Sequence, residues 1–353
     1  MSSILRSTAL AAVLGLTAAP AFADTPMSGI GGLAMSPDGA TLYAISESRG
    51  LYVLDPATLE IKERVWLRTS PVSIIVSADG AKLFIRDTSD DLYVMSASTY
   101  EVENTVGDVS FVDYAPAANL LFVGDYEYDR ENKRNDTIIR ALDAASLSEV
   151  GKVELDAEVE AIDVTPDASL VACLTDAFDV ETEPKEDKPD GMSKIEREVW
   201  DHKHDEEEAM LIMLTDRGQT MKTVNLWYSD FSSPSIQIVG DKVWVAPYSG
   251  MVAKLDPASG EAELMEVGKV SYNYGAGFTD GLLMVGGLRS AGSVKLDTGE
   301  VAAAWELDSL PGWPEYFESF VAGPDGSVYA GTSASVVYKF DGTGAQQAMT
   351  PLF

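Results

Sequence analysis

The stretch EVWDHKHDEEEAM, residues 198–210, holds both histidines of the chain, set among carboxylates. His202 and His204 are two apart, a spacing that sends both imidazoles to one side of an extended chain. Asp201 and Asp205 flank them with oxygen ligands. Two imidazoles and a carboxylate can hold Zn or Cu, weakly or with a partner's help. A closed structural zinc site asks for four fixed ligands, and the chain has no third histidine. The same letters read first as a solvated acidic loop, and beside it as a pH-responsive docking loop, because imidazole titrates near neutrality. No catalytic role is assigned to them, and the sequence requires no cofactor.

A second constellation is spread along the chain. Arg86 ends an apolar run whose counterparts end in Ile45, Gly124, Leu174, Ala246, Gly286 and Gly331. Arg49 and Arg289 fall in equivalent short loops, and Arg68 in a link between units. Brought together, these guanidinium groups form an anion clamp; the alternative is pairing with local carboxylates such as Glu47 and Asp87. Three links are rich in aromatics: NLWYSDFSSPS (Trp227, Tyr228, Phe231), VSYNYGAG (Tyr272, Tyr274) and LPGWPEYFES (Trp313, Tyr316, Phe317). Such rings serve a ligand pocket or a protein interface, or wedge between units as core. Trp227 and Phe317 read as core, Trp313 as exposed. Enzyme signatures are missing: no Gly-x-Ser-x-Gly, no Cys-x-x-Cys-His, no His-Glu-x-x-His.

These residues must be positioned by a repeat. A turn element recurs as SPDGATLYA, SADGAKLFI, APAANLLFV, TPDASLVAC, VGDKVWV, TDGLLMV and GPDGSVYA. A second recurs in step with it: VLDPATLE, VMSASTYE, ALDAASLS, LTDRGQT, KLDPASGE, KLDTGE and KFDGTG. Between them the apolar residues alternate with a period of two, so each unit is four short strands broken by Asp, Gly, Pro and Ser turns. Such a unit cannot bury both faces alone, and stacking the units radially makes a propeller. The expected fold is all-β: a seven-bladed β-propeller of four-stranded blades, with residues 25–30 closing the ring against the last blade. Blade four should carry a long acidic insertion, about residues 177–208, where blade one has only SESRG. Within it, Ser193 and Glu196 are spaced as a capping box, so SKIEREVW predicts two helical turns with Ile195 and Val199 on one face. A shorter charged insertion, DYEYDRENKRND at residues 125–136, should rise on the same face one blade away. Glu160, Asp163 and Glu318 fall near the innermost strands, as pairing partners or as ligands of a channel cation.

The SPDG-x-x-LY and V-L-D-P-A-T motifs resemble those of the YVTN-repeat seven-bladed propellers, a group that includes the methylamine dehydrogenase heavy-chain-like superfamily. The resemblance covers nearly all of residues 31–340 and implies an architecture rather than an activity.

Arg6, the apolar run ALAAVLGLTAA and the small residues Ala21 and Ala23 read as a secretory signal over residues 1–23. Residues 24–353 are then the propeller, periplasmic or secreted, with no membrane span. Cys173, the only cysteine, lies in the apolar run SLVACLTDA and reads as a buried hydrophobe. The formal charge is −32, with 57 acidic against 25 basic residues, which sets the chain against nucleic acid and anionic membranes. The function expected is a monomeric, non-catalytic propeller that binds a protein partner or a small ligand, anionic ligands included, on its loop-rich face. Two alternatives stand beside it: an oxidoreductase subunit resembling the amine dehydrogenase heavy chain, and a metal-binding protein using the insertion.

Overall fold

The computed structural model describes residues 29–129, 134–175, 178–179, 188–204, 208–209, 211–215, 220–226, 235–246, 251–266, 275–279, 282–287, 290–296, 298, 300–306 and 315–352. The expected signal segment, residues 1–23, lies outside them. Among the described residues, seven four-stranded antiparallel sheets follow one another along the chain, at 30–66, 71–106, 111–155, 159–225, 235–266, 275–306 and 317–351. We number them one to seven. Within each, strand order is sequence order, from the innermost strand to the outermost.

Local turn chemistry explains the strand breaks. In sheet one the Asp38 carboxylate accepts from the Ser36 hydroxyl (2.6 Å) and the Ala40 N–H (3.0 Å), while Gly39 takes φ +68°. Ser77, Asp79 and Gly80 repeat the arrangement in sheet two. The second motif is an Asx turn: Asp55 accepts from Ala57 N (2.9 Å), and Asp143 from Ser146 N (2.8 Å).

The core is a ring of seven clusters, each built from two neighbouring sheets. One such cluster joins sheet one to sheet seven, through Ile30, Leu42 and Tyr52 on one side and Tyr329 and Val337 on the other. Radially stacked four-stranded sheets closing on themselves are a β-propeller. Cys173 lies fully buried between sheets three and four, and burial pushes its thiol pKa up to about 12, so the thiolate is not formed at neutral pH. Phe317 is fully buried too, wedged between sheets six and seven.

The closing strand expected at residues 25–30 needs correction. Residues 25–28 lie outside the described residues, and Ile30 begins the innermost strand of sheet one. Sheet seven fills its four places with Phe317–Ala322, Val328–Thr332, Val336–Phe340 and Gln346–Pro351. Among the described residues these four strands make up sheet seven, and it meets sheet one through side-chain packing.

Four innermost strands are bulged at one position: Gly31, Val72, Glu160 and Glu318 interrupt the register in sheets one, two, four and seven. Opposite each bulge, the second strand ends in a buried polar residue: Ser46, Asp87, Thr175 or Thr332. Asp87 shows why. Its carboxylate accepts from Ser89 N (2.9 Å), Asp91 N (3.0 Å) and the hydroxyls of Tyr93 and Thr69, which ties the link before the sheet to the hairpin within it.

Candidate binding face and channel mouth

The hairpins between second and third strands rise on the face that also carries the links between sheets. In sheet three this hairpin outgrows the scaffold. Its strands, Leu120–Asp129 and Arg134–Asp143, are ten residues each and stay in register out to the pair Asp129–Arg134. The charged segment expected as an inserted loop is therefore a continuation of the ladder. It leans on the link to sheet four. Tyr126 donates to Val159 O (2.7 Å), and Asn135 Nδ2 to Glu158 Oε2 (2.8 Å). The Thr137 hydroxyl donates to Ala157 O (2.7 Å) and accepts from Val159 N (3.0 Å). Burial, with Glu160 and Glu158 nearby, pushes the Tyr126 phenol up to about 12. Tyr128, farther out, is 59% exposed.

Sheet four outgrows the scaffold differently. Phe178–Asp179 pairs with Glu208–Ala209 as a separate two-stranded ribbon, and Lys194–His204 is an α-helix. The capping box forms as spaced: Ser193 N donates to Glu196 Oε2 (2.8 Å) and Glu196 N to Ser193 Oγ (3.2 Å). The helix runs on through His204, so the extended spacing assumed for the two histidines does not hold there. The His204 ring lies 4.5 Å from the Trp200 ring, and Asp201 is ion-paired to Lys188, which also sits 5.3 Å over Trp200. The His202 side chain and Asp205 lie outside the described residues. Among the described residues no three His, Cys, Asp or Glu side chains group as metal ligands.

The arginines divide. Arg49 is exposed in the turn of the sheet-one hairpin at φ +73°, and Arg68 is exposed in the next link. The Arg86 side chain is only 22% exposed and lies 3.7 Å from Asp90. Its charge thus has a local partner. Burial lowers its pKa, and Asp90, Tyr126 and Asp87 act against that shift. The carboxylate of Asp87 is committed to its turn, so Arg86 reaches only the Asp87 carbonyl, at 3.4 Å. Arg289, Tyr272, Tyr274 and Trp313, with Trp227, Tyr228 and Phe231, lie outside the described residues. Tyr316 is half-buried, its backbone exchanging two hydrogen bonds with Ser333 (3.0 Å each).

The channel side is acidic. Glu318, on the bulge of sheet seven, accepts a hydrogen bond from Ile30 N; burial and the nearby Glu47 push its pKa up to about 7. Asp113 and Asp163 occupy the same register position in sheets three and four, opposite Phe122 and Ala172. Each reaches across to the next innermost strand: Asp113 accepts from Val164 N (2.7 Å) and Asp163 from Ile238 N (2.5 Å). These N–H groups sit on the open inner edge of their strands, so the carboxyls satisfy donors the ladder leaves over. The two also bond to each other, which requires one shared proton. Burial and the facing Asp113 raise Asp163 to about 9, and burial raises Asp113 to about 6. Sequence reading found Asp163 but missed Asp113. The signal was present in DYAP and DVTP, which hold aspartate three residues before proline in adjacent repeats.

No family model matches the chain, and no curated protein matches it. Among solved structures it is similar to a chain of hydrazine synthase from Kuenenia stuttgartiensis, with a TM-score of 0.63 and 16% identity over 88% of this chain and 94% of that one. At that identity the likeness is one of fold, and the fold shared is the β-propeller.

Proposed function

We propose that this chain is an exported, monomeric, non-catalytic propeller of the YVTN-repeat kind, with seven blades, that holds a protein partner on the face where sheets three and four outgrow the ring. One observation carries the reading. The sheet-three hairpin continues well past its scaffold, yet is pinned to the next sheet through Tyr126, Asn135 and Thr137, so it presents Tyr128 from a rigid base. Rigid aromatics raised above a polar rim are what interfaces use as anchors. The signal-like segment at residues 1–23 supports export. With Arg86 matched to Asp90, the clamp for an anionic small ligand rests on Arg49, Arg68 and Arg289, and a protein partner becomes the better reading. The test replaces residues 125–136 with an Asn-Gly turn and compares cross-linked partners in periplasmic extract by quantitative mass spectrometry. A partner captured by the wild type should be lost with an unchanged circular dichroism spectrum; equal capture by both refutes the reading. The likeness to a hydrazine synthase chain supports a second reading, a subunit of an oxidoreductase. A redox-cofactor-bearing protein as the captured partner would establish that one instead.

A further inference from the structure

Every propeller sheet has an outer edge, that of its outermost strand, and exposed edges are normally guarded by charge, proline or irregularity. Six of the seven outermost strands obey, five of them through charge. Ile61–Trp66 carries Lys62, Glu63 and Arg64; Val102–Val106 carries Glu103; Glu149–Leu155 carries Lys152 and Glu154; Thr220–Asn225 carries Lys222; Glu261–Glu266 carries Glu263. Gln346–Pro351 is guarded by two glutamines and a terminal proline. The outermost strand of sheet six, Val301–Glu306, reads VAAAWE. It alone among these strands has four consecutive residues, Val301 to Ala304, without a polar side-chain atom.

The strand is held firmly from behind. Trp305 is 3% exposed and stacked on Phe340 of sheet seven at 5.0 Å. Gly344 closes over it at φ +84°, where a Cβ would meet the indole nitrogen at 2.1 Å. In front, Val301 is 51% exposed, and Ala302 and Ala304 are exposed and too small to shield the backbone. Carboxylates stand at both ends: Glu306 exposed, and Glu300 in only a long contact of 3.8 Å with Lys295.

We propose that the free edge of Val301–Glu306 is a docking site for an extended segment of a partner protein, apolar in its middle and basic at both ends, which adds as a fifth strand to sheet six. Backbone hydrogen bonds supply the affinity of such an addition, and the ends supply its register. The charges choose the occupant. A second copy pairing antiparallel on the same strand would set Glu300 against Glu306 at both ends, and like charges directly opposite are destabilising. A segment with lysine or arginine at its ends meets opposite charges there, and the net charge of −32 steers it in. This site is on the side of the ring, so it stands or falls independently of the loop-rich face.

The probe is the fluorescein-labelled heptapeptide KTVTVTK, with ETVTVTE as its counterpart, titrated into the whole protein at low salt. KTVTVTK should bind and slow amide hydrogen exchange over residues 301–306, and ETVTVTE should not bind. Glu306→Lys, which touches no core residue, should keep the thermal midpoint, weaken KTVTVTK by about tenfold and admit ETVTVTE. Binding without protection of residues 301–306, equal binding of the two peptides, or no binding at all overturns the proposal. So does wild-type self-association that Glu306→Lys alters.

Discussion

Sheets three and four are neighbours built on the same register, and both extend their second hairpin beyond the ring. Sheet three does so by lengthening its own ladder, so that each added residue brings its backbone partner with it. Sheet four starts a ribbon and a capped helix with their own internal contacts, Ser193–Glu196, Lys188–Asp201 and Trp200–His204. The first kind of outgrowth is rigid because it is continuous with the scaffold. The second is ordered by contacts of its own, and its helix meets the scaffold at the outermost strand of sheet five, Glu261–Glu266. Where the innermost strands of the two sheets meet, at Asp113 and Asp163, they share a proton, beside the core cluster and the hairpin bonds that also join them.

The largest expected effect is on that shared unit, through pH. Asp163 is raised from an ordinary carboxylate value to about 9, so the folded protein keeps a proton that the unfolded chain loses above about pH 4. The stabilisation is whole below that unfolded value and is lost as pH rises through about 9, with Asp113, raised to about 6, adding to the slope. Among the described residues, the charged group acting on each carboxyl is the other. Asp163→Asn keeps a donor for Asp113 and an acceptor for Ile238 N. In urea titrations between pH 4 and 9 it should flatten the decline, leaving the variant more stable than wild type at pH 9 and no more stable at pH 4. A parallel decline in both proteins would remove the shared proton from the account. The turn aspartates pull the other way: Asp38, Asp55, Asp79 and Asp256 are all lowered by hydrogen bonds within their turns or to lysine, so what they contribute is lost as pH falls through the acid range.

Next in size is the anchor of the sheet-three hairpin. Thr137→Val keeps the shape but leaves Ala157 O and Val159 N unsatisfied and buried, at a cost of about 2 kcal/mol. Equilibrium unfolding measures it, and a change below about 0.5 kcal/mol would mean the hairpin is not braced by this residue. Smaller, and confined to sheet four, is Ser193→Ala. It removes half a capping box and should cost the helix about 1 kcal/mol, seen as faster exchange over residues 194–204 with the global midpoint unmoved. A fall in the global midpoint would show the helix to be part of the cooperative core. The smallest effect expected is the most drastic edit. Replacing residues 180–207 with a short Gly-Ser link should move the thermal midpoint by less than about 3 °C, equivalent to about 1 kcal/mol in a chain of this size. A collapse of expression would erase the contrast between the two sheets.

Much of the scaffold was legible because it is written locally. Asp38, Asp55 and Asp143 fix their turns with atoms two or three residues away, so a short window of sequence contains the whole cause. The helix start was legible for the same reason, in Ser193 and Glu196. Its length was not. DHKH carries no apolar period, and what prolongs the helix past it is the packing of Trp200 with His204 and Lys188, which no alternation rule detects. The charged residues 125–136 hid a strand pair, because a ladder standing clear of the scaffold needs no apolar face to alternate. Asp113 was missed because its partner is fifty residues away, and only the superposition of two repeats shows that both carry a carboxyl at one register. Arg86 was the reverse case: an odd residue in its column, whose explanation, Asp90, was four residues along.

The junction between sheets seven and one has a temporal meaning. Six of the seven inter-sheet clusters join segments that follow each other in the chain, so each can form as soon as its own two sheets exist. The seventh must bring Ile30 to Tyr329, and Tyr329 and Lys339 to the carbonyl of Pro56, which both donate to at 2.7 and 3.1 Å. Closing a loop that long costs more chain entropy than any other contact in the molecule, and no inter-strand ladder repays it. Closure there is the slow, late event of folding, and native-state exchange should find the same junction opening before any other: the ring is a line of cooperative units with a latch.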